Sequence, residues 1–99
     1  MKIMGPKDPE EAKVLAFEFD QDIATTDSIV SATVTASVHA GTDPSAASIV
    51  SGAATFSGTT VYQRVTGGLN GVTYKLRAKA TDTAGNVHVL VAGLEVQWA

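Results

Sequence analysis

Histidine, carboxylate and hydroxyl side chains are the groups that could act on a substrate or hold a metal, and their spacing here assembles neither kind of site. His39 and His88 stand far apart, one beside a loop and one on the last predicted strand, with no neighbouring carboxylate at a spacing that would fix a tautomer or complete a metal set. The many serines occupy strand or turn contexts. No Gly-x-Ser-x-Gly elbow, phosphate loop or His-Glu-x-x-His pair occurs. A calcium ion wants several oxygen ligands converging from loops, which leaves Asp20, Asp22 and Asp27 in one cluster and Asp82 with Asn86 in another. Neither matches a calcium loop, and Asp82 to Asn86 reads better as a hairpin turn in which Asp82 caps the bend and Gly85 or Asn86 takes positive φ. The chain therefore reads as a non-enzyme with no cofactor and no metal site.

If the residues do no chemistry, the elements that carry them become informative. Ninety-nine residues suit one domain. There is no cysteine, so neither a disulfide framework nor a thiolate metal site can staple it, and the core must rest on apolar burial. Ten acidic and seven basic residues leave a charge of −3. The basic residues form no stripe except Lys75, Arg77 and Lys79, so phosphate-driven nucleic-acid binding is not expected. That triplet reads as a solvated sheet face that also blunts edge pairing. No apolar stretch approaches membrane-spanning length, and the N-terminus does not read as a signal peptide.

The clearest local pattern lies at Thr73 to Thr81. Tyr74, Leu76, Ala78 and Ala80 share one face and Lys75, Arg77 and Lys79 the other, the period of a half-buried strand. Just before it, Leu69, Gly71 and Tyr74 have the spacing of a tyrosine corner, in which the ring is buried and the hydroxyl returns to the backbone upstream. Lys13 to Phe19 predicts a strand with Leu15, Phe17 and Phe19 inward. Ser28 to Val38 predicts a central strand with Val30, Ala32, Val34, Ala36 and Val38 on one face. Short strands are expected at 47–50 and 53–57, with another at 59–65. The last strand, from about Val87 to Trp98, changes phase partway, which a bulge near Gly93 would reconcile. The fold class expected is all-β: a single immunoglobulin-like or fibronectin type III-like sandwich of about seven strands over residues 13–99.

Residues 1–12 carry Pro6, Pro9 and a mixed charge run, and read as an extended arm more than as a strand or helix. A lone domain has little reason to order such an arm. Pro6, Asp8 and Pro9 are therefore candidate partner contacts, together with Trp98, whose alternative role is to close the bottom of its own core.

The arm from Lys7 to Glu11, the strand ending Phe17-Glu18-Phe19-Asp20, the run Asp27 to Val34 and the later Gly71 to Ala78 occur in an order, and over a length, that resembles a family of small tailed-bacteriophage proteins. These are described as fiber-tail adaptor or virion-associated immunoglobulin-like proteins and are often found in prophages. Members often place a Trp after the Phe-x-Phe-Asp motif; this chain has Gln21, so a contact made through that Trp does not transfer. The resemblance implies a non-enzymatic component of a phage particle at a head, tail or fiber junction, assembled in the bacterial cytoplasm. Its partners would be other phage structural proteins or further copies of itself, with no nucleic acid and no membrane. The competing class is a fibronectin type III-like surface or carbohydrate-binding module, opposed by the absence of an export signal and the scarcity of loop aromatics.

Overall fold

In β6 (Val72–Asp82) Tyr74, Leu76, Ala78 and Ala80 are buried, while Lys75, Arg77 and Lys79 are exposed on the opposite face. Once one face of a strand is covered, a period of two sends every second residue outward. Burial of each large side chain on the inner face contributes roughly 1.5–3 kcal/mol. The computed structural model describes residues 2–21, 23 and 26–98. The other strands are β1 (Lys2–Lys7), β2 (Ala12–Glu18), β3 (Ile29–Ala40), β4 (Val50–Ser57), β5 (Thr60–Thr66) and β7 (Val87–Val96). One sheet has the order β1-β7-β6-β3 and the other β2-β5-β4. Their inner faces form one core that includes Phe17, Phe19, Val34, Val61, Tyr74, Leu76 and Leu94. The chain is an all-β sandwich of seven strands among the described residues.

Four expectations change. First, Lys2–Lys7, expected as part of an arm, forms β1 and pairs in parallel with β7, placing Met4 against the core. The prolines and charges hide it: the ladder is irregular between Met4 and Lys7, where Pro6 has no N–H to donate. Second, Ala46–Ile49 is a 3-10 helix, and β4 begins only at Val50. Third, β3 is an edge strand, not a central one, and an irregularity between Ile29 and Ser31 turns Ile29 inward and leaves Val30 52% exposed. Because β6 lies between β7 and β3, its basic triplet guards no edge. Fourth, β7 keeps one register against β6 from Val87 to Val96, with no bulge at Gly93. Leu90, Ala92, Leu94 and Val96 share the inner phase, and Val87 and Val89 are apolar residues on the outer face.

The ladder between β4 and β5 breaks between Ser51 and Thr55, and a side chain fills the gap. Gln63, 1% exposed, points inward between Val61 and Val65. Its Nε2 donates to the carbonyls of Ser51 (3.2 Å), Gly52 (3.2 Å) and Arg64 (2.9 Å). The amide thus reaches backbone carbonyls on both strands beside the break, while its own Oε1 is buried without a partner.

Candidate functional site

The N-terminal turn, the loop before β6 and the residues after β7 meet at one pole of the sandwich, and Lys7 joins them. Its carbonyl accepts from the Gln97 N–H at 2.8 Å, and its ammonium donates to the carbonyls of Asp8 (2.9 Å) and Gly67. The residue is 1% exposed. Burial pulls its pKa below the ordinary lysine value, against the opposing pull of Glu11 and Asp8. The chain then turns through Asp8–Glu11. The Asp8 N–H donates to Glu11 Oε1 and the Glu10 N–H to Asp8 Oδ1, each at 2.8 Å, while the Glu11 N–H reaches the Asp8 carbonyl at 3.0 Å. The hydrogen bond from Asp8 holds the Glu11 carboxyl below its usual range.

Tyr74 anchors the same pole. Its ring is buried, its hydroxyl accepts from the Leu69 N–H at 2.8 Å, and the hydroxyl donates to Asp43 Oδ2 at 2.6 Å. Burial first, and the Asp43 carboxylate second, push the phenol pKa up to about 12. Asp43 lies in the loop after β3, where its Oδ1 also accepts from the Ser45 N–H at 2.9 Å. Gly68 lies against the ring with φ +97: a Cβ there would stand 2.9 Å from Val96 Cγ2 and 3.3 Å from Tyr74 Cε2. The Tyr74 hydroxyl thus joins Leu69 to Asp43, the partner that local spacing did not reveal, while the Gly71 N–H donates to the Val96 carbonyl at 2.8 Å.

Of the candidate contacts, Pro6 is exposed, while Asp8 and Pro9 are half-buried in the turn. Trp98 is 65% exposed, so it does not close the core. Its backbone N–H donates to Asn70 Oδ1 at 2.9 Å, which ties the last residues to the loop carrying exposed Leu69. The pole therefore presents Pro6, Leu69 and Trp98 on a backbone fixed by hydrogen bonds.

At the other end of β6, Asp82 Oδ1 accepts from the Ala84 (3.0 Å) and Asn86 (2.9 Å) N–H groups. His88 does have a carboxylate neighbour, contrary to the spacing argument: its Nε2 lies 2.9 Å from Asp82 Oδ2. The His88 hydrogen bond is the main reason the Asp82 pKa is lowered. The signal was present in the even numbers of Asp82 and His88, which put both on the inner face of a hairpin. Asp27 Oδ1 accepts from Thr83 Oγ1 at 2.7 Å, and Asp22 lies outside the described residues. Among the described residues no group of three or more His, Asp or Glu side chains converges as metal ligands.

A sandwich with buried structural hydrogen bonds and apolar groups exposed at one pole has the makings of a binding or scaffolding module. Residues 7–94 match the family described as podophage GP4 fiber-tail adaptor protein gp77. The chain belongs to that family, and membership implies a structural adaptor role in a phage tail. No curated protein and no solved structure matches the chain.

Proposed function

We infer that this chain is a non-enzymatic adaptor in the virion of a tailed phage or prophage, an immunoglobulin-like domain holding a fiber protein to the tail. The observation that carries this reading is the family match over residues 7–94, which takes in β2 to β6, only the last residue of β1, and all of β7 but its last two residues. The strand order supports the immunoglobulin-like description. Strands seven, six and three lie together in one sheet and two, five and four in the other, as G, F, C and B, E, D do in that fold. Pro6, Asp8, Pro9 and Trp98 are the proposed contacts at the pole, where an exposed tryptophan on a fixed backbone is the kind of anchor that carries binding energy. Assembly takes place in the bacterial cytoplasm, with other tail components or further copies of the chain as partners.

The reading is tested by quantitative mass spectrometry of purified particles. The chain should be present in a fixed ratio to the tail proteins; its absence from infectious particles would remove the reading.

A further inference from the structure

On the side of the sandwich away from the pole, β1 pairs with β7, among the described residues, only from Ala92 onward. Its register begins with Lys2 opposite Ala92, so among the described residues Val87–Val91 have β6 on one side and no strand on the other. Beside this stretch is a slot of about 190 Å³ between the two sheets, lined by Met4, Ala16, Phe17, Glu18 and Leu90. Its other wall, β2, is itself the edge of the second sheet. The outer face of the same stretch carries Val87 and Val89, 53% and 43% exposed.

We propose that this half-edge is a strand-acceptor groove, filled in the particle by an extended segment of another virion protein that pairs with Val87–Val91 and inserts one large apolar side chain into the slot. The proposal rests on the adaptor reading, which supplies the partner. Unpaired strand edges recruit extended chains through main-chain hydrogen bonds, with alternate side chains giving specificity.

The geometry defines the donor further. Met4, opposite Leu94, points inward. Positions along one edge keep their facing every second residue, so a donor residue opposite Leu90, four positions on, also points inward, over Phe17. A dry cavity of about 150 Å³ accommodates a benzene ring, so the slot suits one leucine-sized or aromatic side chain. Glu18 is the charged group at its rim; one of its oxygens, Oε2, accepts from Thr60 Oγ1 at 2.9 Å. That carboxylate favours a donor with a Lys or Arg beside the apolar anchor.

The test places the photo-cross-linking residue p-benzoylphenylalanine at exposed Ala16 of the full chain, irradiates purified particles and sequences the product. The expected product joins Ala16 to one short segment of a different virion protein containing a large apolar residue. Leu90→Arg should lower its yield roughly tenfold or more, as loss of an anchoring pocket does. Glu18→Lys, at an exposed position that leaves the core intact, should lower it several-fold if Leu90→Arg does not fold. A cross-link to a second copy of the chain, or none in particles that contain the protein, overturns the groove while leaving the adaptor reading standing. Absence of the protein from the particles overturns both.

Discussion

The Tyr74 hydroxyl stands 2.6 Å from Asp43 Oδ2 and 2.8 Å from the Leu69 nitrogen, so one oxygen ties β6 to the loop after β3 and to its own upstream turn. Tyr74→Phe deletes a donor to a carboxylate and an acceptor for a backbone N–H. It should destabilise the domain by about 1–2 kcal/mol, discounted because half-exposed Asp43 regains water. Asp43→Ala removes only the first contact and should cost less. The double variant should fall short of the sum of the two, and additive denaturation midpoints would show that the pair is not coupled.

The same phenol sets the alkaline limb of stability. Its folded-state pKa of about 12 exceeds the unfolded value near 10, so its contribution is complete below about pH 10 and is lost as pH rises through 12. Lys7, depressed by burial, has the opposite slope below the ordinary lysine value. The difference between the parent and Tyr74→Phe isolates the tyrosine. It should shrink across pH 10–12 in thermal melts, and a constant difference would contradict the burial of the hydroxyl.

How much of this was legible in sequence follows from the range of each interaction. β6, β5 and the Leu69–Tyr74 turn were readable because alternation and turn residues are local signals. Asp43 lies 31 positions from Tyr74 and no local period points to it. β1 was hidden because its partner is β7, at the far end of the chain, and strand pairing, not propensity, makes Lys2–Lys7 extended. In β3 a single bulge inverted the facing of Ile29 and Val30 while leaving Val34 correctly inward. Asp27, one of the aspartates weighed for calcium, accepts from the Thr83 hydroxyl across 56 positions, whereas the His88–Asp82 pair was available from parity across the hairpin.

Gln63 should tolerate no truncation. Gln63→Ala removes the two amide hydrogens shared among the Ser51, Gly52 and Arg64 carbonyls and opens a cavity, a loss of about 2–4 kcal/mol that removal of the buried, unpartnered Oε1 partly offsets. Gln63→Leu restores volume but not the donor and should recover only part of it. Hydrogen exchange in both variants should accelerate first in β4; a uniform change through both sheets would mean that Gln63 does not pin the bulge.

Asp82 contributes to the acid limb, together with Glu11. Its pKa is lowered chiefly by His88, so its contribution is present above the ordinary aspartate value and is lost as pH falls through the depressed one. Asp82→Ala should lower the melting temperature at neutral pH and flatten its decline below about pH 4. An unchanged acid slope would assign the sensitivity to other carboxylates.

Trp98, two-thirds exposed, should be dispensable for folding and needed for assembly. Trp98→Ala should shift stability by less than about 0.5 kcal/mol, the range for surface changes. It should also reduce the amount of the chain retained in purified particles. A sharp fall in melting temperature, with incorporation unchanged, would return Trp98 to a packing role.

The most direct test of the adaptor role is electron microscopy of particles made with the gene for this chain deleted and then supplied in trans. Tails assembled without it should lack their fibers and regain them on complementation, with heads and DNA content unaltered. A full complement of fibers on tails made without the chain would contradict the account.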